Sequence, residues 1–367
     1  MKRIEDLCNN KDASKKIKDE FEAIPYHGEE NFPKKLVPLT SITKATDRYE
    51  KVRPFTDEND KNRIKLQNHP NDYVNDQFQI KRWHNDKHPV KFVATQGPTA
   101  ASIELLWKAV FQEGISIIVM LTNTTECKVD KEGKTKVCEK CNEYWPTVKV
   151  DGKYRLKYIL KYKDEDETEL EVLMHASTEI CSMKQQDKPS YGHVRKFTLT
   201  GKKQGVVVTH EVTQYHFLDW KDHSAPDPGE EEKVRVFMQD IRKDAQKVLK
   251  KFPHNIPIIA HCAAGIGRTG TFFLIFVMIL QVEANAKVDP QEITKVMREQ
   301  RMNMIHVSEQ YEYSLKFVLT EFHDGRIKPL VDSTVSNQKK WNEMEDQNET
   351  FVTKMFNLPS FSQCLVM

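Results

Sequence analysis

A cysteine and an arginine lie six residues apart within the stretch His261-Cys262-Ala263-Ala264-Gly265-Ile266-Gly267-Arg268-Thr269-Gly270. The apolar residues 258–260 before it predict the end of a buried strand, and the apolar run from Thr271 predicts a buried helix. A loop between a strand and a helix N-terminus collects free backbone N–H groups at the positive end of the helix dipole, and such a loop binds anions. A cysteine placed there loses its proton easily and becomes a nucleophile. The stretch therefore predicts nucleophilic chemistry on an anionic substrate.

The parts of this loop fit a phosphoryl group. The planar fork of Arg268 can bind two phosphate oxygens, and Cys262 can attack phosphorus to form a phosphocysteine. His261 and Thr269 are predicted to support the nucleophile, Thr269 through a hydroxyl that hydrogen-bonds the thiolate or assists the leaving sulfur. The predicted backbone ligands of the phosphate are the amides of Ala263, Ala264, Gly265, Ile266 and Gly267. The alternative is a buried structural cysteine beside a helix cap, but the complete ten-residue string favours catalysis.

The composition does not favour a nucleic-acid-binding, membrane-spanning or secreted protein. The 367 residues carry 56 basic and 54 acidic side chains, a formal net charge of +2, whereas a nucleic-acid-binding protein would show a strong basic excess. The longest apolar run, about a dozen residues from Thr271, is shorter than a membrane span, and the N-terminus is too polar for a signal peptide. Seven scattered cysteines indicate a reducing compartment, so we expect a cytoplasmic protein.

The elements that must position the loop alternate between strands and helices. The residue pattern predicts polar helices over 1–45, strands over 72–80 and 91–97, a helix over 99–114 that ends at Gly114, and a buried central strand over 115–122. A β-like pattern covers 147–218, and helices follow at 231–252, after Arg268, at 290–301 and at 308–325. This mixture predicts an α/β fold with one mixed β-sheet covered by helices. We divide the chain into an N-terminal helical extension (1–44), a main domain (45–325) and a polar tail (326–367).

Further motifs lie on both sides of the nucleophile loop: KNRIKL, NDYVND, KFVATQGP, LLWKAVF, IIVMLT, CNEYWP, YHFLDWKD and MREQRMNMIHVSEQYEYS. In content and order, these motifs and the loop resemble those of the classical protein tyrosine phosphatases, from about residue 45 to residue 323. The resemblance implies a twisted mixed β-sheet flanked by helices, hydrolysis of phosphotyrosine through a phosphocysteine without a cofactor, and a phosphotyrosine-containing protein as substrate.

The resemblance assigns the general acid to Asp222. The family motif Trp-Pro-Asp reads Trp220-Lys221-Asp222 here, so the acid is kept and the proline is lost. Asp222 would protonate the leaving tyrosine oxygen and act as the base in the second step. Lys221 is expected to loosen the loop and, as an adjacent cation, to lower the pKa of the acid. The alternative is an ordinary solvated carboxylate.

The substrate pocket departs from the family pattern at three positions. Ile64 stands where the tyrosine that follows KNR stacks on the substrate ring, and Leu66 stands at the aspartate two residues later. A local insertion that brings another residue to the pocket is the alternative. The family places the hydrolytic water with two glutamines; Gln310 is kept as a substrate-site residue, and His306 replaces the other. His306 can still hydrogen-bond a water, or it is simply a packed histidine.

Two cysteine motifs lie outside this pattern. Cys138-x2-Cys141 with Cys127 upstream resembles half of a zinc site, but the second pair is missing, so we predict a structural role and no metal. The terminal Cys364-Leu365-Val366-Met367 is a CaaX box of the form that favours a farnesyl group. We expect lipidation of Cys364 and partial, reversible membrane association, with chance occurrence as the alternative.

The sequence leaves two candidate functions. The retained Cys262, Arg268 and Asp222 favour a protein tyrosine phosphatase. The four departures at Lys221, Ile64, Leu66 and His306 favour the alternative, a pseudophosphatase that binds phosphorylated or acidic segments without efficient turnover. We expect the enzyme, because the groups that the reaction requires are all present.

Overall fold

The computed structural model describes residues 1–26, 35–56, 63–66, 74–75, 92–129, 132–160, 168–180, 191–203, 206–251 and 258–329. Most of the strand predicted over 72–80 lies outside these residues. The same holds for residues 330–367, which include most of the predicted tail and the terminal box with Cys364.

The strands and helices of the described residues follow the order expected for an α/β fold. The strands are β1 (Lys35–Leu36), β2 (Phe55–Thr56), β3 (Phe92–Thr95), β4 (Ile117–Met120), β5 (Thr125–Val129), β6 (Thr135–Glu139), β7 (Lys149–Val150), β8 (Lys153–Leu160), β9 (Thr168–Ile180), β10 (Gly192–Lys203), β11 (Val206–Phe217) and β12 (Ile258–His261). The helices are α1 (Lys2–Cys8), α2 (Ala13–Glu22), α3 (Ser41–Thr46), α4 (Ile103–Glu113), α5 (Glu231–Lys251), α6 (Gly267–Glu283), α7 (Pro290–Gln300) and α8 (Ser308–His323).

Eight of the strands form one mixed sheet, in the order β3-β12-β4-β11-β10-β9-β8-β7. Strands β3, β12, β4 and β11 are parallel to one another, whereas the strands from β11 to β7 pair antiparallel. Every residue of β3, β4 and β12 is buried, as expected for parallel strands covered on both faces. The predicted twisted mixed sheet flanked by helices is confirmed.

The residues of β12 alternate between the two faces of the sheet. Ile258 and Ala260 pack in a core with α6, while Ile259 packs in a second core with Trp107 of α4. Helix α6 is apolar nearly all round and almost wholly buried, so it holds the loop that precedes it in a fixed place. Helix α4 ends where the sequence predicted, because Gly114 takes a left-handed conformation with φ of 64° at its C-cap.

The N-terminal helices pack on the same core as the sheet. Ile4 and Ile17 are buried in the α6 core, and the Tyr311 hydroxyl donates to Glu20 at 2.6 Å. Arg3 forms an ion pair with Asp289 at the start of α7. The division of the chain into an extension, a main domain and a tail, with boundaries after residues 44 and 325, stays a prediction.

Strands β5 and β6 form a hairpin that the sequence analysis did not predict. The two strands pair antiparallel with Glu126 opposite Cys138 and Lys128 opposite Lys136. Its described side chains are mostly exposed and polar, so hydrophobic alternation gave no signal for it. This hairpin nevertheless supplies a residue of the site described below.

Within the parts of the chain that are described, no helix is both long enough and apolar enough to cross a membrane.

Candidate active site

The sulfur of Cys262 faces the loop amides at the start of α6. Cys262 follows the last residue of β12 and is 3% exposed. The backbone N–H of Gly265 donates to Cys262 Sγ at 3.3 Å. Gly265 has a φ of 69°, and a Cβ atom there would lie 1.9 Å from the carbonyl oxygen of Thr95, so only glycine fits. The structure thus brings the predicted nucleophile and the predicted anion loop together.

Three backbone carbonyl groups of the loop accept hydrogen bonds from residues outside the loop. Arg301 donates to the carbonyl oxygens of Gly265 and Ala264, both at 2.9 Å, and the N–H of Gly97 donates to the carbonyl oxygen of Ala263 at 2.9 Å. Because the carbonyl and N–H of a trans peptide point in opposite directions, these contacts fix the orientation of the loop amides. Sequence reasoning missed Arg301, although it lies within the motif MREQRMNMIH.

Arg268 is a buried cation that joins three segments. Its side chain is 1% exposed; Nη1 donates to Glu126 Oε1 and to the carbonyl oxygen of Trp220, both at 2.7 Å, and Nη2 donates to Asp222 Oδ1 at 3.1 Å. Burial lowers the pKa of Arg268, but the nearby Cys262, Glu126 and Asp222 more than offset burial, and the pKa is raised. The guanidinium is therefore charged beside the sulfur. Glu126 was not predicted because it belongs to the β5–β6 hairpin.

Asp222 is also held in the site, by three cations. Besides Arg268, Lys140 Nζ donates to Asp222 Oδ2 at 2.5 Å, and Lys128 lies 3.5 Å from the same oxygen. Burial raises the pKa of Asp222, but Arg268 and Lys140 outweigh burial and lower it to about 2. The expectation that Lys221 would lower this pKa is wrong: Lys221 is 74% exposed and pairs with Asp227 instead.

The pocket positions assigned to Ile64 and Leu66 are wrong. Both side chains are 3% exposed and pack in the core beneath α4, so neither forms a pocket wall. Tyr49 lies half-buried nearby. Burial raises the pKa of its hydroxyl, and Lys140 and Asp222 are among the charged groups near enough to act on it.

The position of Tyr49 is set by its neighbour Arg48. Arg48 Nε donates to the carbonyl oxygen of Gly97 at 2.9 Å and Nη2 to that of Pro98 at 2.8 Å. The Arg-Tyr pair in the stretch TDRYEK, just before the KNRIKL motif, was the signal that sequence reasoning passed over. Because Ile64 and Leu66 lie in the core, Tyr49 is our candidate for the ring of the substrate pocket.

Gln310 connects the loop of Asp222 with the segment that contains His306. It is fully buried; Nε2 donates to the carbonyl oxygen of Ser224 at 3.1 Å and Oε1 accepts from the His306 N–H at 3.0 Å. The His306 ring lies 4.9 Å from that of His223, and burial together with His223 lowers the pKa of His306. His306 is thus a half-buried neutral imidazole near the acid.

Thr269 and His261, the two residues predicted to support the nucleophile, are both fully buried. The Thr269 hydroxyl is buried with no hydrogen-bond partner among the residues that the structure describes, so the expected bond to the thiolate is not seen. His261 is fully buried; its Nε2 lies 2.8 Å from the Tyr144 hydroxyl, and burial lowers its pKa to about 4. His261 is therefore neutral.

The cysteines of the possible zinc motif do not converge. Cys141 is buried and its pKa is raised by burial, while Cys127 and Cys138 hold neighbouring, opposite-facing positions of the hairpin. In the described part of the chain no three histidine, cysteine or carboxylate side chains cluster in a way that could hold a metal ion.

Comparison with known proteins agrees with this geometry. The family model described as protein-tyrosine phosphatase matches residues 43–320. Tyrosine-protein phosphatase 1 of Caenorhabditis elegans is 30% identical over 320 residues, 87% of this chain and 27% of that protein. Tyrosine-protein phosphatase non-receptor type 4 of Mus musculus is 27% identical over 290 residues, 79% of this chain and 26% of that protein. Receptor-type tyrosine-protein phosphatase eta of Homo sapiens is 30% identical over 279 residues, 75% of this chain and 17% of that protein. The chain therefore spans about a quarter or less of these relatives' lengths.

The ion pairs of Asp222 predict a pH-dependent contribution to stability. Because its pKa in the folded protein, about 2, lies below the ordinary value of 3.8, the carboxylate stabilises the fold above about pH 4 and loses this effect as the pH falls toward 2. The difference in unfolding free energy between the wild type and Asp222→Asn, measured in urea, should therefore shrink by about 1 kcal/mol from pH 6 to pH 3.

Asp227→Asn is the matched control, because Asp227 lies in the same loop but in an exposed ion pair with Lys221. The unfolding free energy of Asp227→Asn should differ little from that of the wild type at every pH. An Asp222→Asn difference that stays constant over the range would contradict the electrostatic account.

Proposed function

Since this chain belongs to the protein-tyrosine phosphatase family, we propose that it hydrolyses phosphotyrosine in proteins through a phosphocysteine on Cys262. The observation that carries the proposal is the contact between Cys262 Sγ and the Gly265 N–H at the start of α6, with the Arg268 guanidinium beside it. Amides at a helix N-terminus and a charged guanidinium stabilise the negative charge that develops on a transferring phosphoryl group.

In the first step the Cys262 thiolate attacks phosphorus, an S–P bond forms, and the bond from phosphorus to the tyrosine oxygen breaks. Asp222 gives its proton to that oxygen. The carboxyl must therefore be protonated, although its pKa is about 2 without substrate. A bound phosphoryl dianion competes for Arg268 and adds negative charge, and both effects raise the pKa of Asp222 when substrate binds.

In the second step a water attacks the phosphocysteine, the S–P bond breaks, and inorganic phosphate leaves. Asp222, now ionised, accepts a proton from the water. Gln310 and His306 stand next to this loop, and the Gln310 contact with the Ser224 carbonyl keeps the loop near the sulfur. His306 replaces an amide by an imidazole that can also hydrogen-bond the water.

The alternative function is the pseudophosphatase. The observation that favours it is that Asp222 and Glu126 already occupy the Arg268 guanidinium, so that a substrate must displace an internal carboxylate. Such a protein would bind phosphorylated segments and release phosphate slowly or not at all. We favour the enzyme because Arg268 binds Asp222 and lies near enough to Cys262 for the two groups to interact.

Turnover on a phosphotyrosyl peptide separates the two functions. The wild type should release phosphate, Cys262→Ser should abolish release while peptide binding persists, and Asp222→Ala should lower kcat by about 10²- to 10⁴-fold because the acid is lost. Asp227→Ala serves as the control and should change kcat less than about twofold. Peptide binding by the wild type without any phosphate release would contradict the enzyme and establish the pseudophosphatase.

The identity of the pocket wall is tested by Tyr49 and Ile64. Tyr49→Ala should raise KM for the phosphotyrosyl peptide about tenfold, since a stacked ring is lost, and Tyr49→Phe should restore most of the affinity. Ile64→Val should lower stability by about 1 kcal/mol and leave KM nearly unchanged, because Ile64 lies in the core. The reverse pattern, with KM sensitive to Ile64 and not to Tyr49, would refute the assignment.

Lipidation and location rest on the sequence alone. We infer a cytoplasmic protein with partial membrane association through a farnesyl group on Cys364, from the CLVM box and the scattered cysteines. One lipid gives only reversible membrane binding. A farnesyl label should be incorporated in the wild type and not in Cys364→Ser; incorporation into both would remove the claim.

A further inference from the structure

A row of buried polar side chains runs from the sheet to the nucleophile loop. Arg195 Nη1 donates to Gln214 Oε1 at 2.9 Å, and Gln214 Nε2 donates to the Tyr144 hydroxyl oxygen at 2.6 Å. The Tyr144 hydroxyl lies 2.8 Å from His261 Nε2, and His261 Nδ1 lies 3.1 Å from the carbonyl oxygen of Cys262. All these side chains are buried. The row therefore connects a cation on β10 with the backbone of the nucleophile.

The donors and acceptors in this row are set by its two ends, a guanidinium that can only donate and a carbonyl oxygen that can only accept. Arginine can only donate, so the oxygen of Gln214 faces Arg195 and its NH₂ group faces Tyr144. The Tyr144 oxygen accepts that bond and gives its own proton to His261 Nε2. Because the Cys262 carbonyl oxygen can only accept, the one ring proton of the neutral His261 lies on Nδ1 and is donated to it.

The Arg195 guanidinium is itself fixed on three sides. It stacks over the Trp145 ring with Cζ 3.9 Å from the ring centroid, and Nη1 also donates to His216 Nδ1 at 3.2 Å. His216 Nε2 then donates to the carbonyl oxygen of Thr122 at 2.8 Å. A cation held in this way keeps a single orientation, and so does the Gln214 amide that it binds.

We propose that Arg195 is a positioning residue for Cys262: acting through Gln214 and Tyr144, it fixes the proton of His261 on Nδ1, where it binds the Cys262 carbonyl. That bond holds the carbonyl oxygen behind the loop, and the following amide points the other way, toward the anion. With the proton on Nε2 instead, a bare Nδ1 lone pair would face the carbonyl oxygen and repel it. A catalytic role for Arg195 rests on the proposed function, but the position of the His261 proton can be tested without turnover.

The test is Gln214→Glu, which keeps the shape of the side chain and removes its donor. The introduced carboxylate would accept from both Arg195 and Tyr144, and Tyr144 would then accept from His261, whose proton moves to Nε2. Nitrogen-15 NMR of labelled histidine should report the Nδ1–H form in the wild type and the Nε2–H form in this variant. The midpoint pH of Cys262 alkylation by iodoacetamide should rise by about one unit, and kcat should fall about tenfold.

Three further variants distinguish positioning from simple stability. Tyr144→Phe removes the donor to His261 and should shift the alkylation midpoint in the same direction. Arg195→Lys keeps a donating cation and should preserve more of the wild-type behaviour than Arg195→Met. Arg155→Lys makes the same exchange on β8, where Arg155 pairs with Glu171, and should leave both readouts unchanged.

The proposal is overturned if Gln214→Glu leaves the His261 proton on Nδ1 and the alkylation midpoint in place, or if Arg195→Lys and Arg195→Met give equal shifts. If the wild type releases no phosphate but the tautomer and alkylation shifts occur as stated, the positioning role stands and the phosphatase proposal fails.

Discussion

One buried guanidinium, that of Arg268, joins the separate segments of the site. It leaves the start of α6 and binds Glu126 from the β5–β6 hairpin and both the Trp220 carbonyl and Asp222 from the acid loop. A buried cation is tolerated only with such partners, since its desolvation is otherwise strongly unfavourable. The need to satisfy Arg268 therefore brings the hairpin and the acid loop to the nucleophile.

The same ion pairs define the resting state of the acid. Arg268 and Lys140 keep Asp222 ionised in the free protein, so the protein holds a carboxylate where a phosphoryl group would place its own charge. Binding of a dianion exchanges one negative partner of Arg268 for another and changes the protonation of Asp222 at the same time. Substrate binding and protonation of Asp222 are therefore coupled through the charge of Arg268.

Sequence patterns predicted the parts of the fold that depend on burial and local conformation. The central strand over 115–122 and the apolar helix α6 are evident from hydrophobicity, and the end of α4 from Gly114. The exposed β5–β6 hairpin has no apolar period, and with it the contacts of Glu126 were missed.

The pocket ring was misassigned for a related reason. The motif KNRIKL placed Ile64 at the pocket, but Ile64 packs in the core. Our candidate for the pocket ring, Tyr49, follows Arg48, whose side chain is bound to the carbonyl oxygen of Gly97. Likewise Lys221 is next to Asp222 in sequence, yet Lys140 from another segment binds it. Such contacts are set by tertiary packing, which a single sequence does not display.

The proposed reaction requires the Cys262 sulfur, which accepts a hydrogen bond from the Gly265 N–H, to take up a phosphoryl group. This step can be observed by rapid acid quenching of a single turnover of a phosphotyrosyl peptide, followed by mass spectrometry of the digested protein. A transient phosphoryl adduct should appear on the peptide that contains Cys262. Phosphate release with no adduct at any time, or with the adduct on another residue, would contradict the proposed reaction.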